Sequence, residues 1–365
     1  MLPLCRKIGF LLIQTLKFMF QFIRFLIFAT VFSLSITNCQ KKETVIRPAF
    51  YFWQTHLDKD NFESDFVRQQ GIERLYICLL NVEINPQNQV VPRMQTAVDW
   101  SILPPKVSVV PVIYLPNRVF EHLDSLEIGR FAENLTRFFS EKIPPSVFST
   151  FSEIQLDCDW TEKTRGAYFD FLKRFKTLIH KPLSATIRLH QIKYRKKTGI
   201  PPVERGALML YNLNAPNQFS EKNSIFDAAE CRKYLDNAKP YELPLDVALP
   251  LFSWGLAFRN QQYQGIFNGL NTTEARNLSF LKSNNAARKN YFQVAQDTVF
   301  RDLYLRNGDE IEVEEISEND LLAAADMAKT ALNADTTNVI FYHLNGSILK
   351  NYTPDVFKKV LNRLR

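Results

Sequence analysis

The chain has 365 residues, of which 45 are basic and 38 acidic, giving a net charge of +7. Four of those bases lie in an N-terminal leader, and without it the excess falls to +3, which gives no electrostatic case for nucleic acid. There are only 11 glycines and no Gly-rich loop follows any apolar run, which argues against a nucleotide cradle.

The leader comes first in chain order. Residues 1–38 carry Arg6, Lys7, Lys17 and Arg24 and no acid. From Phe25 to Ile36 the chain is apolar or small. That run is shorter than the ~20 apolar residues a spanning helix needs, and fits the core of a secretory signal. A transmembrane anchor from Ile8 to Ile36 would place Lys17 and Arg24 at mid-membrane, where charge is costly. Met19, with Arg24 as its basic region, is an alternative start. The run ends in Ile36-Thr37-Asn38-Cys39, which resembles a bacterial lipobox, although Asn38 stands where Gly, Ala or Ser is usual. The resemblance implies a signal peptide over 1–38, a lipid on Cys39 and a polar tether over 39–47. The expected address is the cell envelope, with membrane contact through that lipid.

Three further cysteines, Cys78, Cys158 and Cys231, have no metal-type spacing and sit in or near apolar runs. They are expected as small buried hydrophobes without disulfides. No metal or cofactor is expected.

Beyond the tether, eight apolar, β-rich runs recur: 49–54, 74–82, 106–115, 151–157, 183–189, 206–213, 243–252 and 337–345. Most are continuously apolar, as strands covered on both faces are. Amphipathic segments lie between many of them. In 126–143, Ile128, Phe131, Leu135, Phe138 and Phe139 recur at spacings of three and four and form one helical face. Near the C-terminus, Thr353-Pro354 marks a helix start. Eight strands alternating with helices predict a single (β/α)8 barrel over 48–365. A polar insertion, about 255–300, follows the seventh run, and the acidic stretch 307–320 is expected as a solvated face.

The chemistry concentrates on "EIQLDCDW", residues 153–160. Alternation along a barrel strand turns Gln155, Asp157 and Asp159 inward if Ile154, Leu156 and Cys158 face the helices. Barrel enzymes hold their catalytic groups at this C-terminal strand end. Asp159-Trp160-Thr161-Glu162 also has the form of a capping box, so Asp159 is read both as a catalytic partner and as a helix cap. Asp157 has no such structural role and is the leading catalytic candidate, with Asp159 or Glu83 as its partner. Other run ends carry polar or aromatic groups. Gln54, His190, Tyr211, Asn212, Trp254 and His343 are expected to line a cleft that binds sugars by hydrogen bonds and ring stacking.

"EIQLDCDW", followed by "YFDFLKRFK" and "LSATIRLHQ", and later by "LPLDVALPLFSW" and "VIFYHLN", resembles a family of secreted bacterial lipoproteins with a glycoside-hydrolase-like TIM barrel. The resemblance implies the barrel but no particular substrate. The fourth strand is also similar to the D-x-D-x-E strand of chitinase-type barrels, where the last Glu is the acid. Here Thr161 holds that position and Glu162 comes one residue late, which turns it to the opposite face of a strand. The leading expectation is therefore an envelope lipoprotein that processes carbohydrate or another envelope polymer, by glycoside hydrolysis. The alternative is a non-catalytic glycan-binding or scaffolding barrel.

Overall fold

The computed structural model describes residues 44–365 apart from 88, 221 and 284–289. The expected signal peptide and the lipid site at Cys39 lie outside the described residues. Among the described residues no helix is long and apolar enough to cross a membrane.

Each of the eight predicted runs overlaps a barrel strand. They are β1 (Val45–Phe52), β2 (Arg74–Ile84), β3 (Ser108–Tyr114), β4 (Ile154–Asp157), β5 (Leu183–Arg188), β6 (Arg205–Met209), β7 (Leu245–Pro250) and β8 (Thr336–Tyr342). β1 begins inside the segment expected as tether. Neighbours pair in parallel around the ring, and β1 closes it, with Phe50 opposite Leu75 of β2 on one side and Phe341 of β8 on the other. The result is a closed (β/α)8 barrel.

The lumen is packed rather than open. Tyr51 of β1 donates across it to Gln155 Oε1 of β4 at 2.6 Å, which fixes Gln155 as inward-facing. Lower down, Asp246 of β7 is fully buried. It accepts bonds from Tyr76 at 3.1 Å, Arg205 at 3.0 Å and Asn338 at 3.0 Å. A buried carboxylate is tolerable only when its oxygens are satisfied in this way.

Helices cover the outside. In α1 (Ser125–Lys142), Ile128, Phe131, Leu135 and Phe139 are buried as the spacing predicts, and Asp124 with Glu127 forms its capping box. α2 (Arg165–Ile179) packs beside it, with Phe131 stacked on Phe171 at 4.8 Å between ring centroids. α3 (Leu189–Lys193) follows β5 directly. α4 (Glu318–Ala328) is capped by Ser317, and α5 (Pro354–Leu364) begins at the predicted proline.

The insertion is a structure of its own. Five antiparallel strands, ordered 262–268, 254–259, 310–314, 291–294 and 281–283, form a sheet with a small core of Phe267, Leu270, Phe292, Ile311 and Val313. The acidic stretch is not the solvated face expected of it. Glu310–Glu314 is the central strand of this sheet, and Glu312 and Glu314 are buried. Period-2 alternation sends Ile311 and Val313 into the insertion core and turns the two glutamates to the other face. There Glu314 accepts a bond from Trp254 Nε1 at 2.7 Å and a second from Ser224 Oγ.

Candidate functional site

Two adjoining cavities open at the C-terminal ends of the barrel strands. The larger, about 570 Å3, is walled by the aromatic rings of Trp53, Tyr114, Tyr211, Phe252, Trp254 and Tyr342. Asp157, Arg188, Asn212, Ser253, His343 and Asn345 supply its polar groups. The smaller, about 320 Å3, is lined by Asp159, Arg188, His190, Tyr211, Asn212 and Tyr234, among others. The two share Arg188, Met209, Tyr211 and Asn212 as a common wall.

Asp157 is the last residue of β4 and is buried. Thr186 of β5 donates its hydroxyl to Asp157 Oδ1 at 2.7 Å. Burial pushes the Asp157 carboxyl up to about 6, against the pull of Arg188, while the nearby Asp159 adds to the rise. Asp159 lies past the strand end and is half exposed, where Arg188 grips it through Nε and through Nη2 at 3.0 Å. Burial works against the Arg188 charge, but Asp159 outweighs it and holds the guanidinium above its ordinary range. The guanidinium also lies 6.0 Å from the centre of the Tyr211 ring.

The expected helix cap at Asp159 is not formed. α2 starts only at Arg165, with Thr164 at its N-cap position, and Thr161 N–H donates to Thr164 Oγ1 at 2.9 Å. A charge-assisted fork from Arg188 claims the Asp159 carboxylate instead. Glu162 is exposed and lines a separate cavity with Asn117, Glu121 and His122, although β4 does end before it. Thr161 lines that cavity too.

Of the remaining candidates, His190 and Asn212 line the smaller cavity, Tyr211 and Asn212 both cavities, and Trp254 and His343 the larger. Asn212 follows β6 with φ at 54°, a left-handed conformation that Asn tolerates better than most residues. His343 is pushed down to about 4 by burial, and burial lowers His190 as well, so both imidazoles are neutral at pH 7. Three buried polar atoms in the cleft walls have no hydrogen-bond partner among the described residues: Arg188 Nη1, Tyr211 Oη and His343 Nδ1.

Two candidates lie elsewhere. Glu83 is a correction: β2 runs on past the barrel as an antiparallel hairpin with 90–94, which carries Glu83 out into solvent to pair with Arg93 at 2.7 Å. Gln54 lines neither cavity and donates to the Leu344 carbonyl at 3.3 Å, tying the end of β1 to the segment after β8. The sequence places Arg188 beside His190 at the polar end of the fifth run but gives it no role. Trp53, Phe252 and Tyr342 also escaped selection. They end apolar runs, where an aromatic that lines a cleft looks the same as one that fills a core.

No family model and no curated protein matches the sequence. Solved structures do match the fold. A chitinase from Chromobacterium violaceum superposes with a TM-score of 0.50 at 11% identity, over 87% of this chain and 99% of that one. The spore cortex-lytic enzyme SleL of Bacillus cereus gives 0.48 at 10% identity, over 88% of this chain and 76% of that one. A chitinase from Bacteroides thetaiotaomicron gives 0.42 at 10% identity, over 88% and 95%. At such identities the likeness is one of fold, the (β/α)8 barrel, and of nothing further.

Proposed function

We propose that the protein is an envelope-anchored lipoprotein whose barrel binds a glycan in the cleft at the strand C-termini. The observation that carries this reading is the larger cavity, which six aromatic rings and a set of hydrogen-bonding groups line together. Sugars present apolar ring faces and hydroxyl edges, and such a cavity offers both stacking surface and directional partners. The unpartnered Tyr211 hydroxyl and His343 Nδ1 add capacity for hydroxyl bonds. Fold likeness to a chitinase raises the prior for carbohydrate and does not name the sugar.

Hydrolysis is the second reading, and one observation favours it. Asp157, with its carboxyl at about 6, is protonated far more readily than an ordinary aspartate, as a general acid needs to be. Glycoside hydrolysis normally uses two carboxyl groups flanking the bond. Asp159 is held by Arg188, and Glu83 is paired with Arg93 outside the cleft. Binding without turnover is therefore the better-supported function.

The test is a glycan array followed by calorimetry and a turnover assay on each glycan bound. Binding without product supports the leading reading. Product formation abolished by Asp157→Asn replaces it with hydrolysis, and no binding to any glycan rejects both. The anchor is tested separately by mass spectrometry of membrane-extracted protein. A lipidated Cys39 at the mature N-terminus is expected, and an unmodified Cys39 or an intact leader refutes the anchor.

A further inference from the structure

The charges that face the cleft form a small set. Arg188 and Asp159 are forked together, so their charges sum to zero, although Arg188 Nη1 stays without a partner. His190 and His343 are neutral imidazoles. Tyr114, Tyr211 and Tyr342 are phenols kept protonated by burial, and Cys78, buried within the field of Asp157, remains a thiol. No lysine and no arginine other than Arg188 lines either cavity among the described residues. That leaves Asp157. Its Oδ1 is taken by Thr186, while its Oδ2 has no hydrogen bond among the described residues and the side chain lines the larger cavity.

A carboxylate or sulfate in the larger cavity meets Asp157, and the one guanidinium there, Arg188, already has its charge offset by Asp159. Like charges brought together in a water-poor cleft are strongly disfavoured. A hydroxyl, amide N–H or ammonium at the same place donates to Asp157 Oδ2 and satisfies it.

Resting on the glycan-binding reading above, we infer that the cleft selects its ligand by charge. It accepts glycans that present a neutral or cationic hydrogen-bond donor to Asp157 and rejects acidic glycans. The aromatic lining sets the affinity, and Asp157 sets the charge class. Arg188 keeps Nη1 without a partner, but its single charge is offset by Asp159, so the cleft retains the negative charge of Asp157 and the preference is not reversed.

The experiment uses the mature domain at pH 7.5 on an array of cello-, manno-, xylo-, chitosan- and uronate oligosaccharides. The neutral oligosaccharide most strongly bound is then compared by calorimetry with its C6-oxidised uronate form. The uronate should bind at least about tenfold more weakly, and Asp157→Asn should narrow that gap. A melt establishes that the variant is folded, and the wild-type comparison stands without it. Array binding confined to acidic glycans, equal affinity for the oxidised form, or a gap unchanged in folded Asp157→Asn overturns the inference and leaves glycan binding intact. Silence across the whole array overturns the glycan reading itself, and the charge rule falls with it.

Discussion

Arg188, at the end of β5, holds Asp159 in a two-pronged contact, Nε on Oδ1 and Nη2 on Oδ2 at 3.0 Å, across 29 residues of chain. The pair divides the two aspartates that the sequence presents side by side. Asp159 becomes a clamp on the wall between the two cavities, and Asp157 is left as the group that faces the larger one.

Breaking the clamp has two expected outcomes. Asp159→Ala leaves a largely buried guanidinium without its counter-charge. Because Asp159 is half exposed, the cost is about 1–2 kcal/mol, below that of a fully buried pair. The same change removes a negative neighbour from Asp157 and frees Arg188 to approach it, so the Asp157 carboxyl should titrate lower than about 6. Carbon-detected NMR titration of Asp157 in wild type and variant measures this. An upward move would show that Arg188 does not act on Asp157.

Asp157 makes stability depend on pH. Its folded carboxyl titrates at about 6 against an ordinary 3.8, so the native state binds the proton more tightly than the unfolded chain. The stabilisation from that proton is complete below the unfolded value and is lost as pH rises through about 6. At pH 8 the ionised group should therefore cost up to about 3 kcal/mol, an upper figure from the size of the shift. Asp157→Asn should raise the melting temperature at pH 8, with a gain that shrinks steadily towards pH 4.5. A gain independent of pH would contradict the burial of an ionisable group here.

The barrel was legible because its strands are covered on both faces, so each reads as an unbroken apolar run bounded by polar turns. The insertion sheet was not. Its central strand, Glu310–Glu314, alternates charge with Ile and Val, and only tertiary contact with Trp254 and Ser224 makes burial of Glu314 acceptable. Asp157 was legible as an inward carboxylate with no local partner. The role of Asp159 was not, since its short-range pattern favours a helix cap and the winning partner is distant in sequence. Glu83 misled because strand alternation says which face a residue takes and not where a strand leaves the barrel.

Trp254 serves both the cleft and the core. Its ring lines the larger cavity, packs on Phe252 with centroids 5.1 Å apart, and is only 9% exposed. Trp254→Ala should therefore cost about 3–5 kcal/mol, as large truncations at buried sites do. Trp254→Phe separates the two roles. It keeps ring area but deletes the indole N–H that Glu314 accepts, so a loss of about 1–2 kcal/mol is expected together with weaker glycan binding. If Trp254→Ala melts with wild type, the ring is not packed as described.

Cys78, Cys158 and Cys231 are free and buried. Burial raises all three, with Cys231 pushed up to about 12, and the negative field of Asp157 adds to the effect at Cys78 and Cys158. Because the thiolate is the nucleophile, neither access nor ionisation favours reaction in the native state. Ellman's reagent at pH 8 should find almost no reactive thiol in the folded domain spanning residues 44–365 and three after denaturation without reductant. Local opening would expose the cysteines at different rates. Cys158 lies between the two cleft aspartates, so ligand binding should slow its labelling more than that of Cys231, which sits on the helix Ala228–Leu235. Mass spectrometry of differentially alkylated protein resolves the individual sites. Rapid labelling of Cys158 in the native protein would mean that the β4 end opens readily, and that the Asp157 environment is not the closed one on which its raised carboxyl depends.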